Sequence, residues 1–125
     1  MEFKIDTKPS YVILTPVSSS LDANLTDAIR QKWESLAESG SQNLILDMQN
    51  CTVADETAYD DLLTLHEFGY ENDRSFVITG LKNEVFQSMK EKELHHTLNI
   101  APTIIEAVDI VSMEILERDL FNEES

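Results

Sequence analysis

The sequence predicts a single α/β domain with a mixed sheet of about four to five strands and about four helices. The sheet is expected to be mostly parallel, with an antiparallel hairpin at the N-terminus. Three observations lead there. Short apolar stretches alternate with stretches of helical periodicity, in the order β-β-α-β-α-β-α-(β)-α. Two of the short stretches, NLILDM and SFVITG, read as central strands covered on both faces. The first two strands are separated only by TKPS, which is turn chemistry at hairpin spacing. A chain of 125 residues, 42% of them hydrophobic, suits one domain with a proper core.

The elements follow in order. MEFKID alternates, with Met1, Phe3 and Ile5 on one side and Glu2, Lys4 and Asp6 on the other, as a half-buried strand does. YVILTPV is its hairpin partner. SSSLDANLTDAIRQKWESLAESG is a helix whose start is capped by a serine or Asp22 and whose end is marked by Gly40. Leu25, Ile29, Trp33 and Leu36 form its apolar stripe, widened by Ala28 and Ala37. After NLILDM, the helix ETAYDDLLTLHEFG turns Ala58, Leu62, Leu65 and Phe68 or Gly69 inward. After SFVITG, the shorter helix LKNEVFQSMKEK aligns Leu81, Val85 and Met89. HTLNIAP supplies a short edge strand around Leu98 to Ile100. The last helix, TIIEAVDIVSMEILERDLF, opens with Thr103 and Glu106 at capping-box spacing behind Pro102. Its expected inward stripe is Ile104, Val108, Val111, Ile115 and Leu116. The domain is expected to span residues 1–121, with residues 122–125 as a fraying acidic tail.

Charge narrows the function classes. The chain has 24 acidic and 9 basic residues, a formal net charge of -15 at pH 7. Such a surface repels phosphate backbones and anionic lipid, so nucleic-acid and membrane partners are not expected. Cys51 is the single cysteine, which rules out an intrachain disulfide and fits a cytoplasmic protein. The opening MEFKIDTKPS lacks a signal pattern, and no apolar run is long enough to span a bilayer.

The order of elements and three sequence stretches resemble the STAS domain, the module shared by sulfate transporters and anti-sigma factor antagonists. SSSLDANLTDAI resembles the leucine-aspartate start of that family's first helix. ILDMQNCTVADETAY fits, without a gap, the pattern apolar-Leu-Asp-Leu-Ser-x-Val-x-Phe-Ile-Asp-Ser-Ser-Gly-Leu. Leu46-Asp47 takes the Leu-Asp place, Val53 the Phe place and Asp55 the Asp before the two serines. LNIAPTIIEAV resembles the final short strand and helix. The resemblance implies an anti-sigma factor antagonist. Such a partner-switching protein binds an anti-sigma factor that is usually also a serine kinase, and phosphorylation of the second serine breaks the complex. By position Thr57 takes the phosphoacceptor place. Glu56 stands where the family has its first serine and Ala58 where it has glycine.

Elementary physics gives the same junction a complementary reading. Asp55 is placed to cap a helix start, and Glu56 and Thr57 then lie near the positive end of the helix dipole. A phosphate on Thr57 adds roughly -1.5 to -2 charge. The helix end favours it by ~0.3–1 kcal/mol, but Asp55, Glu56, Asp60 and Asp61 oppose it, and no neighbouring Lys or Arg in the sequence offsets them. A phosphate there is expected to act by repelling a partner. Alternatively, the carboxylates already imitate the phosphorylated state, leaving a degenerate scaffold that holds a complex or homodimer together without phosphorylation. The expected partner-binding surface comprises Asp55, Glu56, Thr57, Ala58 and Asp61, with Asp22 and Asn24 beside it, because helix starts gather at one sheet edge. An anti-sigma factor with a basic docking face suits the acidity.

Other chemistry is weakly signalled. His95-His96, with Glu91, Glu93 and Cys51, lacks a third ligand at convincing spacing, and adjacent histidines are expected to point apart, so no metal is expected. Cys51 reads as a small buried hydrophobe without a base partner. No glycine-rich phosphate loop and no Ser/His/Asp set occur, so no catalytic residue and no cofactor is expected. A small-ligand sensor or an enzyme using the acidic helix end is the different-class alternative. It would require a deep pocket with convergent polar groups. In the third helix, Val85 and Phe86 are expected to be core residues, with partner docking as the other reading.

Overall fold

The computed structural model describes residues 2–40 and 42–124, with the side chains of residues 123 and 124 left aside. Met1, expected to face the core, lies outside the described residues. Strands β1 (Phe3–Thr7), β2 (Val12–Pro16), β4 (Leu44–Asp47), β6 (Phe76–Thr79) and β7 (Asn99–Ala101) form one sheet in the order β1-β2-β4-β6-β7. β1 runs antiparallel to β2 and every other pair is parallel. Strands β3 (Ser20–Leu21) and β5 (Val53–Ala54) form a separate parallel pair. The helices are α1 (Ala23–Glu38), α2 (Ala58–Glu71), α3 (Asn83–Glu91) and α4 (Ile104–Glu124). This is the mixed α/β architecture the sequence predicts.

The two-residue period of a strand divides the core. Val12, Leu14, Leu44, Leu46, Phe76 and Ile78 point to one face, where α1, α2 and α3 pack on them through Leu25, Ile29, Trp33, Leu62, Leu65, Val85 and Met89. Ile45, Val77 and Ala101 point to the other face, covered by α4 alone through Ala107 and Val111. Trp33 is the centre of the larger cluster. It stacks on Phe76, meets Phe68 edge-on and donates its indole N–H to the Gln42 carbonyl at 2.9 Å. Gly69 on α2 lets the two helices close, because a Cβ there would sit 2.8 Å from the Trp33 ring.

Local chemistry sets several boundaries. Asp22 is the α1 cap, its carboxylate accepting from the Leu25 N–H at 2.9 Å. Of the two expected starts, a serine or Asp22, the structure takes Asp22, and residues 18–21 ahead of it are a turn closed by the Ser18 hydroxyl and strand β3. Gly40 follows the helix at φ +106°, a conformation that suits glycine. Asn99–Ala101 is the edge strand, one residue later than expected, and a short 3-10 turn, Leu94–His96, precedes it. The Thr103 hydroxyl accepts from the Glu106 N–H, as the capping-box spacing predicts. α4 continues beyond residue 121, to Glu124.

Two inward expectations are corrected. Leu116 is 59% exposed. Ile104, Val108, Val111 and Ile115 share the sheet-facing side, and the next residue is rotated by about 100°, out of that face. Ile5 projects to the same side as its partner Leu14 but is 40% exposed, because it lies on the edge strand at the margin of the helix layer. Tyr59 is buried as well, an inward residue not foreseen, and its hydroxyl lies 3.0 Å from the Ser88 hydroxyl on α3. Phe86 is half-buried beside buried Val85 and Met89.

Candidate functional site

The parallel strands β2, β4, β6 and β7 end at one edge of the sheet, and the chain turns there into its helices. The carboxylate of Asp47, at the end of β4, is nearly buried and accepts from the backbone and side-chain N–H groups of Gln49. Gly80, at φ +74°, passes beside it so closely that a Cβ would meet the Asp47 carboxylate. The aspartate of the Leu46-Asp47 pair therefore shapes the loop.

That loop leads into the β3–β5 pair, which joins the starts of α1 and α2. Ser20 and Leu21 register with Val53 and Ala54, and the Asp55 N–H donates to the Leu21 carbonyl at 2.8 Å. Asp22 and Asp55 each follow directly on their strand and so lie side by side. The neighbourhood expected between the start of α1 and Asp55–Ala58 is present in the structure.

The turn itself differs from the expected cap. α2 begins at Ala58, and residues 56–57 form a tight turn ahead of it. Asp55 accepts from the Thr57 N–H at 3.0 Å, while its carbonyl accepts from Ala58 at 2.9 Å. It thus caps the turn that launches the helix. The Thr57 backbone N–H, and secondarily its hydroxyl, hold the Asp55 carboxyl below the usual carboxylate range. Thr57 and Glu56 are exposed, and so is Asn24. Ala58 is fully buried, so its side chain is unavailable to a partner. A glycine there would leave the space its methyl fills.

Tertiary structure adds two residues that local sequence does not reveal. Lys92, at the end of α3, reaches Glu56 at 3.2 Å. A cation therefore stands at the junction, although none neighbours it in sequence. The pair is exposed and worth at most ~1 kcal/mol, so its significance lies in charge placement. Val53, two residues before Asp55, is 56% exposed and puts an apolar contact beside the carboxylates. Its signal in the sequence was the family's Phe place.

Asp61 is engaged between helices. The buried Thr26 hydroxyl lies 3.0 Å from its carboxylate, at the rim of a cavity of about 260 Å³ lined by Ala23, Asp27, Arg30 and Thr64. A larger cavity, about 600 Å³, opens at the opposite edge of the sheet, between the start of β6 and the end of α4. Cys51 is buried, its sulfur 3.2 Å from the Ser18 carbonyl, and burial raises its thiol pKa, with the Asp22 charge adding to the shift. The rings of His95 and His96 do not point apart: their centroids are 4.0 Å apart, because the 3-10 turn brings them together. Among the described residues no group of three or more His, Cys, Asp or Glu is placed to hold a metal. No helix among them is long and apolar enough to cross a membrane.

No curated protein matches the chain by sequence. Several solved structures share the fold. An assigned anti-sigma factor antagonist of Thermotoga maritima superposes with a TM-score of 0.74 at 16% identity, over 88% of this chain and 94% of that one. An anti-sigma factor antagonist of Mycobacterium paratuberculosis gives 0.71 at 15% identity, over 89% and 93%. The unphosphorylated anti-sigma factor antagonist SpoIIAA gives 0.67 at 16% identity, over 89% and 96%. The family profile described as the STAS domain matches residues 2–107, and the chain belongs to the STAS domain family.

Proposed function

We propose that the protein is an anti-sigma factor antagonist or a close regulatory relative, acting by binding rather than by turnover. Its docking surface is the pair of adjoining helix starts: Asn24, Asp55, Glu56, Thr57 and Val53, with Asp22 and Asp61 at the half-buried margin. The carrying observation is the exposed Thr57 hydroxyl on a turn fixed by Asp55 and laid against the start of α1 by the β3–β5 pair. A kinase needs such an accessible, well-defined hydroxyl. A phosphate added there would lie within the contact, so the phosphorylated chain and a stably docked partner exclude each other. The partner that fits is an anti-sigma factor with serine kinase activity and a basic face, associating faster at low salt.

Membership of the family and its structural neighbours support the regulatory role. The placement of the 600 Å³ cavity at the other sheet edge supports docking over small-ligand sensing. A second reading, a scaffold that needs no phosphate, draws on the Glu56–Lys92 pair. There a carboxylate already holds the cation that a phosphate would otherwise attract.

The test is intact mass of the protein isolated from its own cells, with fragmentation to place any phosphate. Phosphate on Thr57, in a fraction that varies with growth conditions, supports the switch. Its absence under every condition, together with failure of the partner kinase to modify the protein in vitro, retires Thr57 and leaves the constitutive scaffold.

A further inference from the structure

Helix α4 is apolar on two sides. One side, with Ala107 and Val111 at its centre, is buried on the sheet. The opposite side carries Ile105, Met113, Leu116 and Leu120, each between half and three-quarters exposed. Met113, Leu116 and Leu120 are spaced by three and then four residues, the spacing of a helix–helix seam, and Ile105 lies two turns earlier on the same side. A helix buried on one face ordinarily presents polar residues on the other. Four large apolar side chains in line on the outer face therefore mark a contact surface.

The charges along that stripe identify what covers it. Asp109 lies within the stripe, Glu106 and Glu117 border one side and Asp119 the other, and all four are exposed. The helix's one cation, Arg118, faces inward, with its guanidinium 3.2 Å from both Ser75 Oγ and Asn43 Oδ1. A two-fold pairing of two copies through this face would set acidic rims against acidic rims, in a chain that already carries -15. We propose that the outer face of α4 docks an amphipathic helix of a different protein, whose apolar stripe is flanked by lysine or arginine. This surface lies across the sheet from the α1–α3 layer, so it leaves the starts of α1 and α2 free for the proposed switch. The chain would then join two proteins at once.

The test uses the full chain and a synthetic helical peptide with leucines at heptad spacing, flanked by lysines. Controls are a scrambled peptide of the same composition and the same apolar pattern flanked by glutamates. Fluorescence anisotropy reads binding, and light scattering reads mass. The paired substitution Leu116→Gln and Leu120→Gln changes no charge and alters only exposed positions. The expected result is a 14.2 kDa monomer that binds the lysine-flanked helix, more weakly as salt rises. Scrambling the peptide, flanking it with glutamate or introducing the two glutamines should each weaken binding at least tenfold. Four results would overturn the proposal: no binding of the lysine-flanked helix, equal binding of the scrambled peptide, a dimer that the two glutamines dissociate, or adsorption to neutral lipid vesicles that they abolish.

Discussion

Replacing Gly69 with alanine sets two effects of opposite sign against each other. In a helix interior, Gly→Ala ordinarily stabilises by ~0.8–1 kcal/mol, because alanine loses less backbone entropy. Here the new methyl would lie 2.8 Å from Trp33 Cη2 and 2.9 Å from the Arg74 carbonyl. Carbon contacts are favourable at about 3.5–4 Å, so one partner must retreat by roughly 0.7 Å or more. Trp33 has little freedom to retreat, being fully buried, stacked on Phe76, edge-on to Phe68 and hydrogen-bonded to Gln42. The Arg74 carbonyl belongs to the turn in which the Arg74 N–H donates back to the Gly69 carbonyl at 2.8 Å. Overpacking of this kind costs ~1–3 kcal/mol, which outweighs the propensity gain. Net destabilisation of ~1–2 kcal/mol is expected, a fall in Tm of about 3–8 °C for a domain of this size. Urea denaturation followed by circular dichroism measures it. A Trp33→Phe background, which lacks the crowding carbon, should reduce the penalty by at least ~0.5 kcal/mol in a double-mutant cycle. A Gly69→Ala protein as stable as the parent, or more so, would refute the packing argument.

Thr26→Val keeps the shape of a buried side chain but removes the hydroxyl shared with Asp61 and Ala23. A loss of ~1–2 kcal/mol is expected in the same urea assay. Buried Cys51, its thiol pKa raised, should react with a thiol reagent at least tenfold more slowly in the native protein than in denaturant; equal rates would contradict its burial. The Asp55 carboxyl is held down, so its contribution to stability is present above its ordinary value of 3.8 and is lost as pH falls through the lowered one. Carboxyl-resolved NMR titration should find Asp55 below that ordinary value. Thr57→Val should restore only part of the shift, since the Thr57 backbone N–H is the larger cause and survives the substitution.

The sequence by itself determined the fold class and the location of the junction. Short continuous apolar runs identified NLILDM and SFVITG as central strands, and helical periodicity identified the stripes of α1 and α2 as core, because burial on two faces removes alternation and burial on one face of a helix imposes a repeat. Asp22 and Thr103 were legible as caps for a related reason: satisfying free backbone N–H groups is local chemistry, whereas Asp55, read as the cap of α2, holds the turn ahead of it. Only the tertiary structure decided what depends on distant parts of the chain. Strands β3 and β5 are two residues each and too short to show a period, yet their pairing sets Asp22 beside Asp55. Lys92 lies far from Glu56 in sequence and comes to it because α3 packs beside α2. Leu116, expected inward for its place beside Ile115, is turned by one helical step of about 100° off the face that Ile104, Val108, Val111 and Ile115 share. Local propensity and patterning act over a few residues, whereas the site and the outer face of α4 arise from how whole elements are stacked.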